Sequence, residues 1–452
     1  MNAPLPAPTA EQARPAHPSF REAFLYWLKL GFISFGGPAG QIAIMHHELV
    51  EKRRWISEHR FLHALNYCML LPGPEAQQLA IYVGWLLHRT WGGIVAGTLF
   101  VLPSLFILAA LTYVYLAFGD VTVVKGIFNG IKPAVVAIVV FAAWRIGSRA
   151  LKNGVLWVLA AASFIAIFAL SVPFPYIILA AGLLGALGGR LMPDKFKVGG
   201  GHGSSNKQYG PALIDDDTPR IPHTRFRWTC LITLIVTSLA IWGAAMALLS
   251  QPVLRDMGEF FTKAALMTFG GAYAVLPYVY QGGVETYGWL TGPQMIDGLG
   301  LGETTPGPLI MVVSFVGFVG GWTKQIFGPD FPGLSGLAGA SVAAFFTFLP
   351  SFVFILAGAP LVEATYGDLK FTAPLTGITA AVVGVILNLA LFFGWHVIFP
   401  HATEAAPLSG GFEWFYALIS VAAFIALWKY KQDIMKVIAA CAAIGLVYTY
   451  LV

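Results

Sequence analysis

The feature that most constrains this chain is an internal repeat whose two copies carry the same interruptions. Adding 234 to a residue number moves SFGG at 34–37 onto TFGG at 268–271, Lys29 onto Lys263, Glu51 onto Glu285, Trp55 onto Trp289, and Pro72-Gly73-Pro74 onto Pro306-Gly307-Pro308. After a 13-residue insertion at 321–333 the shift becomes 247. It then moves Leu102-Pro103-Ser104 onto Leu349-Pro350-Ser351, and GIKPAVVAIV at 130–139 onto GITAAVVGVI at 377–386. The chain therefore reads as a tandem duplication, with repeats at 21–191 and 251–452. A polar linker, 192–227, and one unpaired apolar helix, 228–250, lie between them.

Both copies are built from apolar segments of the length that crosses a bilayer. These run over 91–118, 133–146, 155–170, 176–187, 228–249, 334–360, 374–395, 414–428 and 437–452, the shorter ones needing tilt or local thinning. Composition agrees, since only 11% of residues are charged and mean hydropathy is +0.72, against about 25% charged in a soluble domain. The expected fold class is an all-α polytopic membrane protein. Two segments are broken, however: Gly36-Gly37-Pro38 and LPGPE at 71–75 interrupt them, and each break recurs in the second copy. Glycine and proline remove helix propensity and one backbone donor. At membrane depth such irregular backbone survives only where protein covers it or it lines a water-filled cavity.

Loop charges give the orientation. Lys and Arg gather at 47–60 (Lys52, Arg53, Arg54, Arg60), at 145–153 (Arg145, Arg149, Lys152), at 190–227 and at 429–436, which places these loops in the cytoplasm. Their repeat partners, 280–293, 396–412 and 171–175, have no Lys or Arg. Matched loops on opposite faces are the mark of an inverted-topology repeat, as in secondary transporters. With the tail 1–20 and loop 47–60 both cytoplasmic, 34–40 becomes the tip of a re-entrant hairpin. Segment 61–88 is then a second hairpin, or else a single broken crossing. The Pro- and Ala-rich tail has no signal-peptide pattern and reads as disordered. Cys68, Cys230 and Cys441 lie in apolar segments without CxxC spacing, so neither disulfides nor zinc are expected. The net charge of +5 belongs to these loops and does not point to nucleic acid.

Half-helices ending at a common depth make an anion site. A helix N-terminus carries unpaired N–H groups and about half a positive charge, and glycine lets a ligand approach the backbone. The candidate substrate-binding residues are therefore Ser34, Phe35, Gly36 and Gly37 with Thr268, Phe269, Gly270 and Gly271, and the breaks Pro72, Gly73, Pro74 and Pro306, Gly307, Pro308. Gln77, Gln78, Thr304 and Thr305 add neutral donors, with helix-to-helix bonding as their alternative use. Lys29 and Lys263 sit five residues before Ser34 and Thr268, where an ionisable group costs at least ~2.5 to 3.5 kcal/mol. They either supply two cations to a tetrahedral dianion or snorkel to an interface. Glu75 and Glu303 flank the two PGP breaks and are candidates for proton coupling, or for capping a half-helix. His46-His47-Glu48 lacks a third metal ligand at matching spacing, and no GxxxxGK[ST] segment is present for ATP. No nucleophile and base occupy motif positions, which argues against an enzyme. No cofactor or metal is expected.

The motifs SFGGPAGQIA, LPGPEAQQLAIYVGW, TFGGAYAVLPYV and GETTPGPLIMVVSFVGF resemble those of the long-chain chromate transporters, in which two homologous domains are fused. The resemblance covers the chain apart from tail and linker. It implies export of chromate from the bacterial cytoplasm across the inner membrane, conferring chromate resistance. It further implies sulfate as a look-alike substrate, chemiosmotic energy, and lipid as the surrounding partner. Sulfate or oxyanion transport of another kind, a passive anion channel and a homodimer remain open at this point.

Overall fold

Short polar caps and prolines decide where the helices start. Ser19, Ser57 and Asn153 accept hydrogen bonds from the first free amides of α1 (Phe20–Ile33), α3 (Glu58–Cys68) and α6 (Gly154–Phe168). Thr291 and Gln294 form a reciprocal capping box on α11 (Gly292–Thr304), and Pro252 opens α9 (Pro252–Leu266). The remaining helices are α2 (Gly37–His46), α4 (Glu75–Phe118), α5 (Thr122–Ala150), α7 (Phe174–Leu191), α8 (Trp228–Leu248), α10 (Ala272–Tyr280), α12 (Val312–Thr323), α13 (Pro332–Ala364), α14 (Ala373–Ile398), α15 (Trp414–Trp428) and α16 (Ile434–Leu451). The computed structural model describes residues 14–196, 209–218, 222–364, 373–400, 409 and 411–451. Of the expectations above, the tail at 1–13, the linker at 197–208 and 219–221, and loop positions 401–408 and 410 lie outside the described residues.

Among the described residues, seven helices are long and apolar enough to cross a membrane: α4, α5, α7, α8, α13, α14 and α16. The outward surface is apolar too, with Trp157, Leu183, Val236, Leu418 and Tyr450 each more than half exposed. An outer surface this rich in large apolar side chains suits a lipid surrounding. The protein is an all-α polytopic membrane protein.

The repeat seen in the sequence is present in the elements. Short π-helical turns at His47–Lys52 and Gln281–Thr286 are 234 residues apart and end α2 and α10 alike. α6 and α7 match α15 and α16 at a shift of 260, so a second insertion lies in the loop before α15. α4 is broken at His88 and Arg89, where the second copy has the loop between α12 and α13. Packing follows the same relation. α1 lies on the long arm of α4 as α9 lies on α13, and α5 holds α15 and α16 as α14 holds α6 and α7. The self-paired contacts, α4 with α13 and α5 with α14, lie between the copies. Each repeat is thus completed by helices of the other.

End contacts show which surfaces the broken hairpins open to. His88 bonds the carbonyl of Pro18, His223 bonds that of Trp85, and residues 54–57 bond residues 213–216. Both ends of α1–α2 and both ends of α3 with the short arm of α4 therefore reach one surface, with Pro18, residues 213–216 and His223. The segment 61–88 is a hairpin and not a broken crossing. The equivalent hairpins of the second copy open beside other ends: Gln281 Oε1 accepts from the Phe174 amide, and Gly292 lies against Phe392 and His396. Those positions are reached only after α4, α6 or α14 has run its length.

Candidate functional site at the crossed helix breaks

Each FGG break is tied to the PGP break of the opposite copy. The Gly307 amide donates to the Ser34 carbonyl at 2.8 Å, and the Gly73 amide donates to the Thr268 carbonyl at 2.8 Å. Gln41 Nε2 adds bonds to the carbonyls of Ser34 and Gly307. The glycines permit this because Gly36, Gly73, Gly270 and Gly307 have φ of +86°, +120°, +81° and +99°, a region that costs other L-residues about 1–2 kcal/mol. Space enforces it as well. A Cβ on Gly73 would lie 2.6 Å from Ser351 Oγ, and one on Gly307 would lie 2.7 Å from Ser104 Cβ. Ser104 and Ser351 are repeat partners, so the same serine of each copy covers the other copy's glycine.

Four half-helices start here, and none has a side-chain cap. Gly36 precedes α2, Pro74 precedes α4, Gly271 precedes α10, and Pro308 precedes the 3₁₀ turn Leu309–Met311 that leads into α12. Their first amides depend on water or a ligand for partners. Polar side chains around them are left over too. Both amide atoms of Gln77, Oε1 of Gln78, Oε1 of Gln41 and the hydroxyls of Ser104 and Ser351 are buried without a partner. A buried unpaired polar atom costs about 1–3 kcal/mol, so this concentration at one locus marks a place that something polar visits.

Several expected residues behave differently from their sequence reading. Ser34 and Thr268 are fully buried, but Ser34 Oγ donates to the Leu30 carbonyl at 2.6 Å and Thr268 Oγ1 to that of Ala264 at 2.7 Å. Thr304 and Thr305 likewise donate to Leu301 and Gly302, and Gln78 Nε2 to Pro72. These hydroxyl protons finish the preceding helix. Phe35, Phe269, Gly37 and Gly271 are half-buried, while Pro74, Pro306 and Pro308 are buried. The expectation that Lys29 and Lys263 face a shared centre is corrected: both are exposed, and Lys263 pairs with Glu259 one helical turn away at 2.5 Å. Their helices turn Trp27, Leu30, Phe261 and Ala264 inward, which leaves positions 29 and 263 on the outer face. His46 and His47 form ion pairs with Glu51 and, for His46, Glu58, and no metal-binding group occurs among the described residues.

Glu75 and Glu303 do converge. A Cβ on Gly271 would meet Glu75 Oε1 at 4.0 Å, and Tyr273 of the same short helix donates its hydroxyl to Glu303. Arg145 lies within electrostatic range of both carboxyl groups and of Tyr273. Its guanidinium has no hydrogen-bond or ion-pair partner among the described residues. Sequence reading missed this residue because it sits next to Arg149 and Lys152 and counts toward a cytoplasmic loop. In the fold it is inside α5, one turn from its end.

Discontinuous helices meeting from two homologous halves within an all-helical membrane domain define the architecture of a multi-pass membrane transport protein. The chromate transporter family matches residues 21–186 and 255–446, one match per repeat. A chromate transport protein of Cupriavidus metallidurans is 30% identical over 99% of this chain and 98% of its own length. One from Pseudomonas aeruginosa is 31% identical over 96% and 94%. A probable chromate transport protein of Synechococcus elongatus is 28% identical over 95% and 96%. No solved structure matches. The chain belongs to the chromate transporter family.

Proposed function

We propose that this protein is a secondary active transporter that exports chromate across the bacterial cytoplasmic membrane, with sulfate as a competing tetrahedral oxyanion. The observation that carries this reading is the crossed pair of breaks, which gathers four uncapped half-helix starts and the leftover amide of Gln77 around one locus. Gly36, Gly37, Gly270 and Gly271 leave the backbone N–H groups open to an anion, and Glu75 and Glu303 carry the coupling proton. The two copies are an inverted-topology pair, the geometry in which rocking of one bundle against the other exposes a central site alternately to each face. The separate surfaces reached by the two sets of hairpins support that arrangement. The family match and the relatives named for chromate support the substrate.

The test is flux in proteoliposomes. Chromate is loaded inside, and efflux through wild-type protein is followed with and without an imposed pH gradient, then repeated with sulfate in competition. Coupled transport predicts a rate that changes with the gradient and falls with added sulfate. A rate that follows only the chromate gradient and the membrane voltage would instead identify a passive anion channel. Cross-linking of the protein in native membranes, read as a dimer band on denaturing gels, tests the homodimer.

A further inference from the structure

The two copies match in backbone at the crossed breaks but not in charge. Glu75 Oε1 lies 4.0 Å from the Cβ position of Gly271, Tyr273 of the helix that follows holds Glu303, and Arg145 is within electrostatic range of both carboxyl groups. The residues at the equivalent positions of the repeat are Leu309, Met69, Ala39 and Phe392. The copies therefore differ in how their cations are used: Lys132, at the position equivalent to Thr379, pairs with Asp297 at 3.7 Å, while the Arg145 guanidinium has no ion-pair partner among the described residues.

Arg145 is placed at this centre by its helix neighbours. Gly270 lies 3.7 Å from Thr379 Oγ1 on α14, measured from the position of an added Cβ, and Gly147 of α5 lies 3.2 Å from Val383 by the same measure, one turn further along α14. Arg145, Glu75, Gly270 and Gly271 are each half-buried, whereas Glu303 and Tyr273 are buried. The ionisable groups in range of Glu75 are Arg145 and, on α3, Cys68. Those in range of Glu303 are Arg145 and Tyr273. Lys132, the other cation on α5 near the core, is already paired with Asp297 at 3.7 Å.

We propose that Arg145 is the cation that holds the oxyanion at the second FGG turn, and that Glu75 and Glu303 compete with the anion for it. The proposal rests on the transport reading above. Its chemistry is a charge count in a site of low dielectric. With both carboxyls ionised, the cluster carries two negative charges against one positive, and it repels a dianion. With both protonated it carries a single positive charge on a planar fork that suits an oxyanion in bidentate fashion. Anion binding and protonation of Glu75 and Glu303 are therefore linked, and affinity rises as pH falls.

The test is calorimetric titration of the purified full-length protein in nanodiscs at about pH 6 and about pH 8, with chromate and, because chromate itself takes up a proton in this range, in parallel with sulfate, which stays a dianion. Wild type should bind at least about tenfold more tightly at the lower pH, one pH-unit-scale step of linkage. Arg145→Gln should bind at least about tenfold more weakly than wild type at the lower pH, the loss of a charge-assisted pair. Arg145→Lys should fall between the two. The double variant Glu75→Gln with Glu303→Gln should bind with equal affinity at both pH values. Wild-type affinity in Arg145→Gln, or an undiminished pH dependence in the double variant, overturns the proposal while leaving the transport reading intact. Chromate flux in proteoliposomes with no measurable role for these three residues does the same. Absence of both binding and flux in the wild type overturns both.

Discussion

At the scale of single residues, the glycines of the breaks separate into two kinds. An added Cβ at Gly36 or Gly270 meets nothing closer than 3.7 Å, so alanine there suffers only the positive φ. At Gly73 it suffers φ of +120° and collides with Ser351 Oγ. Gly36→Ala and Gly270→Ala should therefore cost about 1–2 kcal/mol and stay folded, while their transport falls because a methyl group stands before the open amides. Gly73→Ala should lower the thermal midpoint further than either. Fluorescence-detected melting and chromate flux, measured on the same membrane preparations, check both halves. The lysines make the opposite case. Lys29→Gln and Lys263→Gln should change the apparent KM for chromate less than about twofold, since an exposed i,i+4 pair such as Glu259–Lys263 is worth only about 0.3–0.5 kcal/mol. A severalfold rise in KM in either variant would return the lysines to the site. The breaks were legible in the sequence because FGG and PGP recur at one shift in both copies, whereas single glycines in membrane helices mostly serve close packing. The outward face of Lys29 was not legible, because the residues one turn away, Leu25, Tyr26, Phe32 and Ile33, are all apolar, whereas Glu259 one turn before Lys263 was a sequence sign that this lysine lies on a polar face.

Between elements, two buried polar ties join each short hairpin to the long helix of the other copy. Arg60 at the start of α3 bonds Glu363 near the end of α13 at 3.4 Å, and Tyr82 donates to the same carboxylate. In the second copy Asp297 of α11 receives Tyr115 from the end of α4 at 2.9 Å and pairs with Lys132. Tyr115 and Glu363 stand within one residue of equivalent positions on the two long helices, so the ties serve the same joint. Arg60 and Glu363 are each 7% exposed, and removing one partner of such a pair strands a buried charge. Glu363→Gln should thus cost about 3–5 kcal/mol, read as a loss of thermal midpoint and of folded yield in membranes. Arg60→Met combined with Glu363→Met should recover most of that loss. If the single and double variants melt alike, the pair contributes nothing. Sequence analysis assigned Arg60 to a cytoplasmic basic loop, and only the packing of α3 on α13 reveals its partner 303 residues away.

For the whole molecule, the prediction concerns sidedness. Ser57 lies against Asp216 of the linker, on the surface shared with the chain's first described residues, whereas Thr291 lies beside the far end of α14. Single cysteines at Ser57 and Thr291, in a background with Cys230→Ser, should react oppositely with an impermeant thiol reagent. Thr291→Cys should label in intact cells, and Ser57→Cys only in inverted vesicles. Labelling of both from outside would remove the inverted arrangement.

The sequence by itself determined the membrane, the duplication and the positions of the four breaks along the chain, because hydrophobic length, residue shifts and helix-breaking residues are local properties that survive without knowledge of neighbours. It also pointed to opposite faces, since loop charge responds to the membrane and not to packing. Only the tertiary structure decided how the breaks cross, with Gly73 on Thr268 and Gly307 on Ser34, and that Arg145 stands by Glu75 and Glu303 while the lysines face outward. Those relations join residues of different copies and depend on the rotation of each helix about its axis. In a lipid-embedded helix that is apolar all round, the sequence pattern carries almost no record of that rotation.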